Sequence, residues 1–425
     1  MKMELINLTY DPSDKAKVPP GWEAKSLQDI CVQKGLIRGP FGGALKKESF
    51  VRTGYKVYEQ KNAIYQDAQL GDYFIDAQKY EELKRFAVGA GDFIVSCSGT
   101  IGRIFRIPEG SPMGIINQAL LLIKTDDQII DSDYFYQYFQ WESFQRRIID
   151  NTQGGAMANL VAMNIFKKTT IDVPPLEEQR RIAEILLTWD KVIKLKQTLI
   201  EQIGLQKIGL MQNLLTGKIR LSSAKGEWKE VELRHVGSFL KGKGISKDQV
   251  VENGFGCVLY GEIYTRHHVF IRKFYSFIND EDATGSTQIR KNDILFAGSG
   301  ETAEEIGKCV AYLGDESAYA GGDIIILRPE VKVDSLFLSY ALNTGKAAIQ
   351  RAKLGQGHSV VHIYPSTLAE IKVPLPDYDE QCEIAKLLRV YDECIDLLEE
   401  ELTALKQQKS GLMQLLLTGK VRVQV

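Results

Sequence analysis

Apolar residues along this chain recur with two different periods, and each period keeps to its own stretches. Leu186, Trp189, Ile193, Lys196, Ile200, Ile203, Lys207, Leu210 and Leu214 fall alternately three and four residues apart, and seven of the nine are apolar. Leu388, Tyr391, Ile395, Leu398, Leu402, Leu405, Lys409, Leu412 and Leu416 repeat the spacing with eight of nine apolar. A mean spacing of 3.5 residues keeps all positions on one helical stripe, so each stretch predicts a long coiled-coil helix with a seam. Elsewhere the apolar runs are short and bounded by glycine and polar residues. FIVS (93–96), GRIFRI (102–107), ALLLIK (119–124), DILFA (293–297), GKCVAY (307–312) and DIIILR (323–328) predict buried strands. The aromatic stretch DYFYQYFQWESFQRRI (133–148) predicts a helix lying against them, its rings serving the core rather than stacking on bases.

The long helices belong to a duplication. Residues 178–221 align without a gap to 380–423 at an offset of 202: Glu178-Gln179 answers to Glu380-Gln381, Asp190 to Asp392, and LTGK at 215–218 to LTGK at 417–420. Lys207 and Lys409 hold the same seam position, which suits a register marker. The repeat continues more weakly outside the helices. Trp22, Leu27 and Ile30 correspond to Trp228, Leu233 and Val236, and GDFIVSCSGTIGRI (91–104) to NDILFAGSGETAEEIGKC (292–309), with four extra residues before the second Ile-Gly. VPPLEEQ and VPLPDYDEQ announce the two helices, the second being two residues longer.

The order is therefore globular, helix, globular, helix. It predicts an α+β fold: two mixed α/β domains separated by two long helices that form an antiparallel coiled coil, pseudo-two-fold symmetric. The expected boundaries are 1–174, 175–221, 222–376 and 377–425. The alternative is two unrelated amphipathic helices, each packed on its own domain. Charge favours pairing: 178–221 carries eight Lys/Arg against four Asp/Glu, whereas 380–423 carries six against eight. In the paired arrangement LTGKVRV returns to the first domain as LTGKIRL leads into the second. A helix of about 38 residues spans roughly 57 Å, enough to hold two heads over successive half-sites of a duplex, spaced about 34–36 Å apart.

Composition narrows the function by exclusion. At 44% hydrophobic and 25% charged residues the chain reads as globular. It has no apolar run long enough for a membrane span and begins without a signal-peptide pattern, which predicts a cytoplasmic protein without membrane association. The six cysteines are scattered with no CxxC pair, so neither a disulfide framework nor a cysteine metal site is expected. A net charge of -2 is unusual for a protein that binds nucleic acid by itself.

Catalytic motifs are missing. No Asn/Asp-Pro-Pro-aromatic loop of an adenine methyltransferase is present, and neither GPFGGALKKES nor GSGETAEEIGK has the spacing of a phosphate-binding loop. Phe41-Gly42-Gly43 reads as a turn. His358 and His362 stand four apart, but Ser359 occupies the place of the base, and the neighbouring glycines Gly355 and Gly357 predict a loop. Glu370 and Lys372 have no suitable acidic partner for nuclease chemistry. No metal site and no catalytic residue are expected.

Taken together, the tryptophan-led start, GDxIxSxSGTIG, the Val-Pro-Pro-Leu-Glu-Glu-Gln segment, the long helix and LTGK, all then repeated, resemble the specificity subunit of type I restriction-modification systems over nearly the whole chain. The resemblance implies that the globular parts are two target recognition domains, each reading half of a bipartite, asymmetric DNA site. The helices would set the half-site distance and dock two modification (methyltransferase) subunits, with a restriction/translocase subunit joining them. S-adenosylmethionine, ATP and Mg would then belong to those partners, and this chain would be no enzyme. Partners that encircle double-stranded DNA would also supply the cations this chain lacks. A protein-binding scaffold with duplicated heads is the alternative.

Candidate contacts follow from residue chemistry. Each head has a polar cluster after its first glycine-rich segment: Tyr58, Glu59, Gln60, Lys61 and Asn62, and Tyr260, Glu262, Tyr264, Arg266 and His267. Gln and Asn can read adenine, Arg guanine, and Glu can accept from the cytosine amine. Lys46, Lys47, Lys61, Arg103 and Lys308 are candidates for phosphate contact. The glycine-bearing loops 152–159 and 355–359 are candidates for close approach to a duplex.

Overall fold

The computed structural model describes residues 18–150, 159–221, 224–300, 302, 305–355 and 361–424. The chain forms two compact units, and the division interleaves along the sequence. Unit 1 is Met1–Lys196 with Glu401–Val425, and unit 2 is Gln197–Glu400.

The two units share one plan. In unit 1 an antiparallel sheet has the order Cys31–Arg38, Leu120–Thr125, Phe93–Ser96, Ile104–Arg106. A second sheet has the order Phe74–Ile75, Tyr55–Tyr58, Gly114–Ile116, Ala87–Val88, with its central pair parallel. Unit 2 repeats both orders, with Gly237–Lys241, Ile324–Pro329, Ile294–Ala297, Cys309–Ala311 and with Ser276–Ile278, Phe255–Val258, Ala318–Ala320, Thr287–Ile289. All four residues of Phe93–Ser96 and of Ile294–Ala297 are buried, as expected of runs that are apolar on both faces. The aromatic stretch is two helices, Ser132–Gln140 and Glu142–Ile148, broken at Trp141, whose backbone is extended. Tyr134, Phe135, Tyr138, Phe139 and Phe144 are all buried in the unit 1 core, so the rings are core-facing.

The long helices are Leu176–Leu214 and Tyr378–Leu416, 39 residues each. All the apolar seam residues named above are buried or half-buried, whereas Leu195, Leu205 and Leu397 off the seam are exposed. Within each unit the start of one helix packs antiparallel to the end of the other, and charged pairs hold the register. In unit 1 Lys409 Nζ donates to Asp190 (2.6 Å) and Lys196 to Glu401 (2.7 Å). In unit 2 Lys207 donates to Asp392 (2.6 Å). The two seam lysines are thus register pins, each drawn to the same aspartate of the duplicated motif. Each aspartate is also tied to its head, Asp190 by Gln137 and Asp392 by the hydroxyl of Tyr340.

The Glu-Gln and LTGK motifs fasten each head to its helices. Gln179 accepts from the Asp131 amide (2.7 Å) and donates to Pro174 O (2.8 Å); Gln381 accepts from the Asp334 amide (2.9 Å) and donates to Pro376 O (2.9 Å). Glu178, buried, takes two hydrogen bonds from Arg422 (2.7 and 2.8 Å) and one from Trp22 Nε1 (3.0 Å). Glu380 takes two from Arg220, both at 2.7 Å. Such bidentate, charge-assisted pairs fix orientation as well as distance. LTGK supplies the turn that brings each arginine back: Gly217 and Gly419 have φ of 69° and 63°, the left-handed helix cap that glycine adopts without strain. A β-carbon on Gly419 would also lie 2.4 Å from the ring of Pro19. Both LTGK tails therefore end as the sequence predicts, each against the head of its own unit.

Candidate nucleic-acid interface

In unit 1 the strand Tyr55–Tyr58 delivers the chain to a short helix, Gln60–Tyr65, which ends at Gln66 in the left-handed region (φ 54°). The helix is set by a capping box: Glu59 receives the Asn62 amide, and Asn62 Oδ1 accepts from Glu59 N at 2.7 Å. Asn62 spends its remaining donors on Asp67 O and Leu70 O. Tyr58 is fully buried, its hydroxyl donating to Pro112 O at 2.7 Å. The expectation that Tyr58 and Asn62 read bases is therefore corrected, because their polar atoms are spent inside the fold. Glu59 is half-buried and pairs with Lys61 at 2.9 Å, which offsets part of the charge Lys61 offers a phosphate. Gln60 lies under the loop that follows Phe93–Ser96, with its Oε1 buried and unpartnered.

Arg103 is exposed and lines a cleft of about 510 Å³ with Tyr65, Gln66, Thr100, Gln140 and Gln145. Tyr65 is 71% exposed, so its ring is open to a partner at the cleft. Sequence reasoning misses Tyr65, Gln66 and Gln145, which come from two segments about 80 residues apart; only the interleaving of aromatic and amide residues signals them. Lys46 and Lys47 are exposed, and so is Phe41, with the Arg38 guanidinium 6.0 Å from its ring.

In unit 2 the equivalent helix is Tyr260–Thr265. Glu262 is buried, accepting from Leu259 N (2.9 Å) and Ser276 Oγ (2.8 Å), so its reading as an acceptor for cytosine is corrected on the same ground. His267 is buried as well. Burial, His268 and Arg266 push its pKa down to about 4, leaving it neutral at pH 7. The expectation of a base contact from His267 is thus also corrected. Tyr260 is exposed, with Tyr264 half-buried at a ring distance of 6.4 Å. Arg266 lies 4.9 Å from the centre of the Tyr275 ring, and Lys273 lies 5.1 Å from it. This cation-aromatic cluster can meet both a base face and a phosphate. Tyr275 and Lys273 were legible only as the basic-aromatic run RHHVFIRKFY. Lys308 is half-buried, and burial and Arg351 lower its pKa.

Loop residues 152–158 and 356–359, with His358, lie outside the described residues. His362 Nδ1 is hydrogen-bonded to Ser299 Oγ at 2.9 Å. Among the described residues no group of three or more His, Cys, Asp and Glu is placed to hold a metal ion. Nor is any helix among them long and apolar enough to cross a membrane.

Both halves of the chain match one family model, the type I restriction modification DNA specificity domain, over residues 19–205 and 225–407. The chain belongs to that family. The specificity-subunit reading extends to full-length relatives. The type I restriction enzyme MjaVIII specificity subunit of Methanocaldococcus jannaschii is 28% identical over 430 residues, covering 96% of this chain and 94% of the relative. Among solved structures, the type I restriction-modification system S subunit from M. genitalium shares the fold with a TM-score of 0.56 at 17% identity, covering 96% and 98% of the two chains. A chain solved in work on assembly and conformational transition of the type I R-M system gives 0.58 at 17%, covering 95% and 100%. This specificity subunit is therefore a duplicated two-domain member, with the repeated clamps described above as its internal symmetry.

Proposed function

We propose that each unit of this specificity subunit reads one half of a bipartite, asymmetric double-stranded DNA site. The observation that carries this reading is the repeated placement of a polar surface on one fold. Both units present the segment after the same strand, Gln60–Tyr65 in one and Tyr260–Thr265 in the other, with different side chains. Equal folds with unequal contact residues suit two unequal half-sites. The long helices act as the spacer that sets half-site distance and as the dock for two modification subunits. Methyl transfer with S-adenosylmethionine, and ATP- and Mg-dependent translocation and cleavage, belong to the modification and restriction partners. The chain's net charge of -2 fits that division, because partners surrounding the DNA supply most of the phosphate-neutralising cations. The contacts that remain assigned to bases are Gln60, Tyr260, Tyr264 and Arg266, joined by Tyr65 and Tyr275. Glu59 is retained at the rim, and Lys46, Lys47, Lys61, Arg103 and Lys308 face phosphate.

The test is co-expression with a modification subunit of a type I restriction-modification system that assembles with this chain, followed by methylome sequencing. A new bipartite methylation pattern that needs both genes is expected, and no such pattern would leave the protein-scaffold reading in its place. At residue level, Gln60→Ala is expected to relax the first half-site at one position, by about 1–3 kcal/mol of discrimination, with the second half-site untouched. Arg103→Ala should weaken binding across sequences and lower the salt slope by about one. Quantitative binding of the assembled complex to duplexes altered at each half-site checks both: equal loss at both halves refutes the assignment of Gln60, and a loss confined to one base change, or an unchanged salt slope, refutes that of Arg103.

A further inference from the structure

The loop joining Phe93–Ser96 to Ile104–Arg106, and the described residues of its counterpart between Ile294–Ala297 and Cys309–Ala311, are braced by partly different devices. In unit 1 the brace is internal. Ser96 Oγ donates to Thr100 O (2.6 Å) and accepts from Arg103 N (3.0 Å), while the Ser96 backbone pairs with Arg103 O and Gly102 N, each at 2.9 Å. One hydroxyl thus fixes Arg103, while Gln145, which lines the cleft of about 510 Å³, lies beneath Gly102, its Oε1 2.2 Å from where a β-carbon there would stand and its amide donating to Phe139 O rather than to the loop.

Unit 2 keeps the backbone pairing, Gly307 N to Ala297 O (2.8 Å) and Ala297 N to Lys308 O (2.9 Å), but its loop is four residues longer and Ala297 replaces the serine. Within the loop Thr302 Oγ1 accepts from Glu305 N (3.3 Å) and Lys308 N donates to Glu305 O (3.0 Å), and a further support comes from below. Arg351, on the helix Gly345–Leu354 and only 5% exposed, donates Nη1 to Ile306 O at 2.6 Å. Gly307 has φ of 64°, and a β-carbon there would lie 2.8 Å from Arg351 Cγ, so glycine at this place lets the arginine stem pass beneath the loop. Among the described residues Arg351 Nε has no hydrogen-bond partner and no carboxylate pairs with the guanidinium. A buried cation held, among those residues, by one carbonyl is costly to a fold. A core would be served better by an apolar side chain at this position, so the arginine points to a role outside stability.

We infer that Arg351 is a positioning residue for the second half-site: it props Ile306-Gly307 from beneath and so fixes the loop by which this head is seated on the DNA backbone, setting the register in which its base-reading residues meet the bases, as Ser96 does at the first. The assignment rests on the DNA-reading function proposed above. It makes the two loops independently mutable, which the duplication alone would not require.

The experiment compares wild type, Ser96→Ala, Arg351→Met and Arg351→Lys, each assembled with the modification subunit. Binding is measured to duplexes carrying single base changes in either half-site, with hydrogen exchange of the strands Phe93–Ser96 and Ile294–Ala297 as the control for folding. Arg351→Met is expected to lose about tenfold discrimination or more at the second half-site only, with strand protection retained. Arg351→Lys, which keeps a donor for Ile306 O, should recover most of it, and Ser96→Ala should show the mirror loss at the first half-site. Wild-type discrimination in Arg351→Met, equal loss at both half-sites, or loss of strand protection in both Arg351 variants would overturn the assignment. Wild type that discriminates no base change would overturn the DNA-reading function and this inference with it, and is recognised because the unsubstituted complex is itself silent.

Discussion

Seven residues inserted into both long helices at once, between Lys196 and Gln197 and between Glu400 and Glu401, will lengthen the gap between the two half-sites by about three base pairs. Both half-site sequences should stay as they were. Seven residues add about 10.5 Å of helix at 1.5 Å each, and a duplex rises about 3.4 Å per base pair. Seven also preserves the 3.5-residue seam, so no apolar position is turned outward. The insertion points matter because they fall where one unit gives way to the other. Every register pin then keeps its partner: Lys196 with Glu401 and Lys409 with Asp190 in unit 1, and Lys207 with Asp392 in unit 2. The same insertion in one helix alone offsets one strand of the coil against the other, and assembly or binding should be lost. Methylome sequencing reads both outcomes, since the number of unspecified base pairs between methylated half-sites is counted directly. Unchanged spacing in the double insertion would remove the helices from their role as spacer.

Asp392→Ala is expected to destabilise unit 2 far more than Asp190→Ala destabilises unit 1. Asp392 is only 8% exposed at its side chain and gathers three groups: Lys207 at 2.6 Å, the Tyr340 hydroxyl and, at 3.7 Å, Arg272. Arg272 is shared with Asp396 at 2.8 Å. Removing the carboxylate leaves a lysine and a phenol buried without their acceptor, and breaking a buried pair in this way costs about 3–5 kcal/mol. For a domain of this size each kcal/mol lowers the melting temperature by about 2–4 °C, so the loss is on the order of 10 °C. Asp190 is 38% exposed and is met by Lys409 and Gln137, so water can replace what the substitution removes. Thermal unfolding with hydrogen exchange in Leu120–Thr125 and Ile324–Pro329 assigns each loss to its unit. Equal shifts for the two variants would show that the aspartates are surface pins of similar weight.

The sequence carried the architecture to a large extent because duplication and period are statistical properties of many residues. A seam of nine positions survives two lysines, and an offset of 202 held over 44 residues identifies equivalent positions without any structure. The lysines then became informative themselves. A charge placed on an apolar stripe twice at one register predicts a partner, and Asp190 and Asp392 are those partners. The buried strands were equally legible, since Phe93–Ser96 and Ile294–Ala297 are apolar at nearly every position. The aromatic stretch shows the limit of periodicity: its helix is interrupted at Trp141, where no proline or glycine marks the break.

Contact residues were read less well, for a reason that lies in the side chains. Asn62 and Glu262 have the chemistry of base readers and also that of helix caps, and in both units the cap is what they form. A polar residue near a helix start satisfies backbone amides close to it in sequence, so local structure claims it before any ligand can. Tyr58 and His267 look exposed in a polar string but are buried, Tyr58 within a unit 1 core cluster. Conversely, Tyr65 shares a cleft with Arg103 from 38 residues away, Gln145 lies beneath Gly102 from 43 away and Arg351 bonds Ile306 from 45 away, distances over which spacing carries no signal.

The long helices were thus determined by the sequence alone: their length, their seam, their charge-matched pairing and the repetition of the whole plan. Each of these is written in residues that act with near neighbours or in regular period. Only the tertiary structure decided which polar groups are spent inside the fold and which face outward. It alone showed that Arg351 stands beneath Gly307 and bonds the loop, where the other unit has Gln145 beneath Gly102 and braces the loop with Ser96. Burial and long-range hydrogen bonding depend on the packing of distant segments, and that packing is set by the fold as a whole rather than by any one stretch of chain.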